Sequence, residues 1–141
     1  MIRNPEIQFA SADAIAAFQQ EYLREEIAYL YENSPYYRRM FDHCGARPDD
    51  IRTQEDLRRL PVTTKTDLQL HPQDFICVPR SRIIDYVTTS GTLGDPVTFA
   101  LTEEDLDRLA YNEAESFTTA GCTPEDVLQL MTTIDRRFMA G

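Results

Sequence analysis

The feature that most constrains the fold of this chain is a change of local pattern at Pro79. Upstream of it, short segments begin at helix-capping serine or threonine residues and end at proline or glycine, a pattern typical of capped helices. Downstream of it, two β-rich runs flank a loop of turn-forming residues. The sequence therefore predicts a helical region over about residues 1–78 and an α/β region over about residues 79–141.

Capping residues set the bounds of the first two predicted helices. Ser11 precedes a long segment with apolar residues at helical spacing, which predicts a helix to about Glu32. Ser34 and Pro35 then supply a cap and a proline at the first helical position, and Gly45 supplies a stop.

Two shorter helical segments follow before the change of pattern. The run "TQEDLRRLP" opens at Thr53, carries acidic residues in its first turn and halts at Pro61. The run "TTKTDLQLHP" predicts one more short turn of helix, stopped by Pro72.

The second region combines strands with a helix. "RIIDYV" and "VTFAL" predict two strands, and "DVLQLMTT" after Pro124 predicts a third, buried strand. Between the second and the third predicted strand, Thr102 and Asp105 form a capping-box pattern that predicts the start of a helix, and Gly121 predicts its end. The predicted fold class is therefore α/β.

Charge and composition restrict the partners. The 141 residues carry a formal net charge of −10, which disfavours binding to nucleic acid or to an anionic membrane surface. Near the N-terminus the best apolar run is too short for a signal peptide or a membrane span, and three widely spaced cysteines fit reduced thiols. We therefore expect a cytoplasmic protein. His43 and Cys44 have no second ligand pair at a suitable spacing, so no metal site is predicted.

The loop "TTSGTLG", residues 88–94, concentrates hydroxyl side chains and glycines between the two predicted strands. Backbone amides freed by glycine and side-chain hydroxyls are the donors that a phosphate needs. The loop matches neither the Walker motif nor the dinucleotide-binding glycine motif. From composition alone, a phosphate site and an ordinary strand-connecting turn both remain open.

The order of the residues resembles a known motif. "TSGTLGDP", Thr89 to Pro96, is similar to the Ser/Thr-Ser-Gly-Thr-Thr-Gly-Lys-Pro phosphate loop of adenylate-forming enzymes. The stretch from Tyr31 to Leu68 resembles the N-terminal region of phenylacetate-coenzyme A ligases, including a leucine-proline followed by threonine, threonine and lysine. The resemblance implies the N-terminal portion of the large domain of such a ligase, cut at its C-terminal end.

The resemblance implies an AMP-forming acid–thiol ligase that uses ATP, Mg²⁺ and coenzyme A. The expected ATP phosphate-binding residues are Thr89, Ser90, Gly91, Thr92, Leu93 and Gly94. Asp95 departs from the lysine usual in the family, and Phe138 aligns with an aromatic residue of the acyl pocket, although simple packing explains it equally well. Because the catalytic residues of the family are expected beyond Gly141, this fragment alone should be inactive.

Several alternatives stay open at this stage. The carboxylic acid is undetermined, with aryl acids such as phenylacetate among the candidates, and the acceptor is either coenzyme A or a carrier-protein thiol. A truncated, non-catalytic relative or binding module would keep the loop without the reaction. The oligomeric state is equally open, with a homodimer among the alternatives.

Overall fold

The computed structural model of the chain describes residues 5–89 and 95–129. These residues divide into two compact units at Pro79. We call them the helical region (residues 5–79) and the α/β region (residues 80–89 and 95–129).

Two capped helices form the larger part of the helical region. Helix α1 spans Ala12–Asn33, and the Ser11 side chain accepts a hydrogen bond from the Ala14 N–H at 3.3 Å. Helix α2 spans Pro35–Cys44 and begins at the Ser34 cap, as the sequence predicts. It ends at Gly45, whose φ of 67° is the left-handed conformation that favours glycine at a helix end.

A small core forms where α1, α2 and the following segment meet. Phe41 and Ile51 are completely buried, and Ile27 and Ala46 complete the cluster. The Tyr31 ring packs edge-on against Phe41 with centroids 5.7 Å apart. Aromatic and aliphatic side chains in contact exclude water, and this burial is the main favourable contribution to folding.

The rest of the helical region consists of short turns. Helix α3 spans Lys65–Leu70, and 3-10 turns cover Pro48–Asp50, Asp56–Arg59 and Pro72–Phe75. The helix predicted to open at Thr53 is therefore one 3-10 turn. Its Asp56 carboxylate accepts hydrogen bonds from the N–H groups of Arg52 and Thr53, which ties the turn to the preceding chain before Pro61 ends it.

An aromatic cluster joins α2 to the last of these turns. Tyr36 stacks on Phe75 with ring centroids 4.1 Å apart, and Tyr37 meets the same ring edge-on at 5.6 Å. The buried Ser34 hydroxyl donates to the Asp74 carbonyl at 2.8 Å while its oxygen caps α2. One serine thus ends the first helix, starts the second and anchors the distant turn.

The α/β region contains a two-stranded antiparallel sheet and one helix among its described residues. Strand β1 spans Asp85–Thr88, β2 spans Thr98–Leu101, and α4 spans Glu103–Thr119. In the sheet, Val87 lies opposite Phe99 and Thr88 opposite Thr98. The predicted capping box of Thr102 and Asp105 is present at the start of α4, and Gly121 follows its end with a φ of 92°.

Two strand predictions need adjustment. β1 begins three residues later than the run "RIIDYV", since Arg82 belongs to the 3-10 turn Arg80–Arg82 and Ile83 and Ile84 lie between that turn and the strand. In the third predicted strand, residues 126–129 have no strand partner within the described part of the chain, and residues 130–133 lie outside it. None of the helices within residues 5–89 and 95–129 has the length and apolar character needed to cross a membrane.

Candidate functional site

The candidate phosphate loop connects two strands that are paired up to its edges. β1 ends at Thr88 and β2 begins at Thr98, and these two residues face each other in the sheet. The sequence between them holds the glycines and hydroxyl residues of the predicted motif. The sequence prediction of a strand, a loop and a second strand is thereby confirmed for this part of the fold.

One further pair of hydrogen bonds lies beyond the last strand pair, between Thr89 and Val97. The Thr89 N–H donates to the Val97 carbonyl at 3.0 Å. The Val97 N–H donates in return to the Thr89 hydroxyl oxygen Oγ1, also at 3.0 Å. We call this pair of bonds the loop clamp.

The clamp rests on buried apolar side chains. Val97 is only 4% exposed and Val87, on the neighbouring strand, 8%. A buried N–H without a partner costs about 1–3 kcal/mol, so the hydroxyl of Thr89 satisfies a group that water reaches poorly. The base of the loop is therefore fixed by packing as well as by hydrogen bonds.

The structure locates two of the predicted site residues. Thr89 lies in the clamp and is exposed at the edge of the sheet, and Asp95 is exposed on the other side of the loop. Ser90, Gly91, Thr92, Leu93 and Gly94 lie outside the described residues, and so does Phe138. Phosphate binding by this motif stays a prediction, as does the place of Phe138 in an acyl pocket.

A groove of about 460 Å³ lies between β2 and α4 in the same region. Its apolar wall includes Phe99, Leu101 and Leu109, and its polar rim includes Asp105 and Arg108, whose side chains form an ion pair at 3.0 Å. Sequence reasoning missed this groove. The alternation of Phe99 and Leu101 on one strand, facing the apolar positions of the next helix, is the pattern that could have indicated it.

The carboxyl group of Asp105, at the rim of the groove, has a lowered pKa. Burial acts to raise the pKa of its carboxyl group, but hydrogen bonds from the Thr102 N–H and hydroxyl and the charge of Arg108 outweigh this effect. The pKa therefore lies below its ordinary value, and Asp105 is ionised at neutral pH. Its contacts are those of a helix cap, which argues for a structural role.

Metal ligands do not cluster in the described part of the chain. Within residues 5–89 and 95–129, no group of three or more His, Cys, Asp or Glu side chains is arranged to hold a metal ion. Both His43 and Cys44 are exposed, and the Cys44 thiol donates to the Met40 carbonyl at 3.1 Å. Lys65, the only lysine, is the exposed first residue of α3.

Comparison with curated proteins identifies the relatives of this chain. It is 39% identical over 125 residues to phenylacetate-coenzyme A ligase of Escherichia coli (strain K12), a match that covers 88% of this chain and 29% of the relative. The chain is homologous to the phenylacetate-coenzyme A ligases. The enzyme of the same name from Thermus thermophilus is 38% identical over 125 residues, again 88% of this chain and 28% of the relative.

Solved structures lead to the same group of ligases. A crystal structure of 2-hydroxyisobutyryl-CoA ligase in complex with 2-HIB-AMP and CoA matches with a TM-score of 0.74 and 32% identity, over 82% of this chain and 26% of that one. The predicted fold, part of an adenylate-forming ligase domain, is therefore confirmed. No protein-family profile matches the sequence. The chain spans less than a third of the length of these ligases.

Proposed function

We propose that this chain supplies the phosphate-binding loop of an ATP-dependent acid–thiol ligase that forms AMP. The observation that carries the proposal is the homology to phenylacetate-coenzyme A ligases over 88% of the chain. The strand–loop–strand frame around the motif "TSGTLGDP" supports it. Further support comes from the solved 2-hydroxyisobutyryl-CoA ligase, which binds 2-HIB-AMP and CoA.

In the proposed reaction, the carboxylate of an organic acid attacks the α-phosphate of ATP and releases pyrophosphate. The thiol of coenzyme A then attacks the acyl carbon of the resulting acyl adenylate and displaces AMP. The loop contributes no nucleophile to either step. The backbone and hydroxyl donors of Ser90, Gly91, Thr92 and Gly94 would bind the β- and γ-phosphates and stabilise the charge that develops on the leaving pyrophosphate.

Mg²⁺ is expected to accompany ATP in this reaction, where it would neutralise phosphate charge. We assign none of the described residues to the metal, in keeping with their lack of a suitable cluster within residues 5–89 and 95–129. The proposed contribution of the loop to phosphate binding is a set of neutral hydrogen-bond donors.

Asp95 distinguishes this loop from those with lysine at the same position. A carboxylate within a few ångströms of a polyphosphate repels it, whereas a lysine attracts it. Since Asp95 is exposed, its side chain has room to point into solvent. We propose that ATP binding here relies on hydrogen-bond donors more heavily than in lysine-containing loops, so that Asp95→Lys tightens it.

The names of the similar ligases supply candidates for the acid. Phenylacetate and 2-hydroxyisobutyrate are the acids named for the similar ligases. Coenzyme A is the proposed acceptor, and a carrier-protein thiol is the alternative. The three cysteines are free thiols, which supports a reducing compartment such as the cytoplasm.

Acid-dependent exchange of labelled pyrophosphate into ATP tests the proposal on the full-length protein, with aryl and aliphatic acids that include the two named above. Exchange with at least one acid is expected, and adding coenzyme A should then yield a thioester. Exchange without a coenzyme A thioester would favour the carrier-protein acceptor. No exchange with any acid, together with no ATP binding, would favour a non-catalytic relative and overturn the proposal.

A further inference from the structure

Helix α4 carries an apolar surface that the described part of the chain leaves uncovered. Residues three or four positions apart lie on one face of a helix, and α4 has four apolar residues at this spacing. We call them the α4 stripe: Leu106, Ala110, Ala114 and Phe117. All four are exposed, Leu106 by 40% and Phe117 by 44%, and none of the 17 residues of α4 is buried. The helix therefore presents an apolar face to solvent in this structure.

The contact of α4 with the sheet uses a different face of the helix. On the helix side, the groove beside β2 is lined by residues that are again three or four positions apart, among them Asp105, Arg108, Leu109 and Asn112. At 3.6 residues per turn, this face is rotated by roughly 140° from the α4 stripe. The groove and the stripe are therefore two separate surfaces, and β2 does not cover the stripe.

The side chains of the stripe are suited to packing against another element. A contiguous apolar face on an otherwise polar helix is typical of a surface that is covered in the complete fold or by a partner. The nearby hydroxyls of Ser116 and Thr118 donate to carbonyls one turn earlier in the same helix, at 2.9 and 2.8 Å, so they need no outside partner. The two alanines of the stripe allow a neighbouring element to approach the helix axis closely.

The lengths of the relatives indicate where the covering element comes from. The matched region makes up 29% of the phenylacetate-coenzyme A ligase of Escherichia coli and 26% of the 2-hydroxyisobutyryl-CoA ligase in the solved structure. More than two thirds of each ligase therefore lies outside the region that this chain matches. Within a domain, the apolar stripe of a helix is buried against other elements of the same domain.

Charge argues against a second copy of the same helix as the partner. Helix α4 carries six carboxylate side chains and a single basic one, Arg108. Two such helices packed stripe to stripe would bring like charges together, which is unfavourable. A stable interface also buries about 800 Å² on each partner, a large area for a stripe in which two of the four side chains are alanine.

We therefore propose that, in the full-length protein, the α4 stripe packs against the remaining part of the ligase large domain. The covering segment is apolar, and its flanking residues are neutral or basic, because the polar faces of α4 are acidic. This inference rests on the homology to the ligases and does not depend on phosphate binding by the loop.

Thiol labelling of the full-length protein tests this packing. Ala110→Cys and Ala114→Cys place a thiol in the stripe, and Thr118→Cys, at an exposed position of α4 outside the stripe, is the matched control. Each is combined with Cys122→Ser, which removes the natural thiol closest to the helix. The rate of reaction with N-ethylmaleimide is measured by mass spectrometry on the peptide that contains α4, in native buffer and in urea. Relative to its rate in urea, the thiol at either stripe position should react at least about tenfold more slowly than the control thiol.

The outcomes of the labelling separate the possible occupants of the stripe. Equal native rates for the stripe and control thiols would show that the stripe stays exposed in the full-length protein, and would overturn the inference. Protection that disappears on dilution of the protein would assign the stripe to a second copy and would also overturn it. Because labelling needs neither ATP nor an acid, a lack of pyrophosphate exchange would remove the proposed function and leave this result standing.

Discussion

The helical and α/β regions bury their side chains in different places. In the helical region, the completely buried Phe41 and Ile51 lie in one cluster formed by helices and turns. In the described part of the α/β region, the buried apolar side chains are Val87 and Val97, on either side of the candidate phosphate loop. Burial in the first region therefore builds a core, whereas burial in the second fixes the frame of the candidate site. Substitutions in the first should change stability, and substitutions in the loop should change ATP use.

The largest effect is expected from Phe41→Ala. Because the Phe41 ring is completely buried, its removal leaves a cavity and should lower the free energy of unfolding by about 3–5 kcal/mol. Urea unfolding followed by far-UV circular dichroism measures this change. Val62→Ala is the control, since Val62 is 84% exposed and its truncation should alter stability by less than about 0.5 kcal/mol. Similar values for the two variants would remove the distinction between core and surface in this region.

The next effect concerns the loop itself. If Ser90 and Thr92 bind phosphate as proposed, Ser90→Ala and Thr92→Ala should each weaken transition-state stabilisation in pyrophosphate exchange by about 1.5–3 kcal/mol, the cost of a lost hydrogen bond to a charged group. This corresponds to a loss of roughly 10- to 150-fold in kcat/KM for ATP. Ser81→Ala, in the exposed Arg80–Arg82 turn, is the matched control. Unchanged kinetics for both loop variants would indicate that the motif is an ordinary strand-connecting turn.

The sequence predicted the helices best where a cap and a stop enclose them. Ser34, Pro35 and Gly45 fix α2 by local hydrogen bonds and backbone conformation, which depend on neighbouring residues alone. The clamp was not predicted, because it depends on the strand register that brings Val97 opposite Thr89. For the same reason the groove beside α4 was missed. Contacts between residues distant in sequence need the fold before they can be identified.

A repeated local motif was also recognised only in part. In four Thr-x-x-Asp segments of the described residues, the aspartate carboxylate accepts hydrogen bonds from the threonine N–H and hydroxyl. The four pairs are Thr53 with Asp56, Thr64 with Asp67, Thr102 with Asp105, and Thr123 with Asp126. The motif recurs in both regions, so it allows the same contact to be compared in different surroundings.

A smaller effect is expected from removing one such threonine. Thr102→Ala deletes the cap of the 17-residue helix α4 and should lower the free energy of unfolding by about 1 kcal/mol. Thr123→Ala removes the same kind of side chain where the following residues, up to 129, form no helix, so its cost should be smaller. Urea unfolding of both variants measures the difference. Equal costs would mean that the hydrogen bonds, and not the capped helix, account for the stabilisation.

The smallest effect is the pH dependence of the capping carboxylate. The folded-state pKa of Asp105 lies below the ordinary value of 3.8, so its ionised form stabilises the folded protein. This contribution is complete above the unfolded pKa and is lost as the pH falls through the lower folded pKa. Asp105→Asn should therefore cost less than about 1 kcal/mol at neutral pH, and its difference from wild type should shrink as the pH falls below 3.8.

Urea unfolding at several pH values, repeated in a Thr102→Val background, isolates the part of this effect that depends on the cap. Valine removes the hydroxyl that donates to the Asp105 carboxylate but keeps the backbone N–H. The pH dependence of the Asp105→Asn difference should be weaker in that background, because the ionised carboxylate has lost one of its donors. An identical pH dependence in both backgrounds would attribute the lowered pKa to the retained Thr102 N–H, to Arg108 and to the N-terminal end of α4. The Thr102 hydroxyl would then stabilise the helix without affecting the ionisation of Asp105.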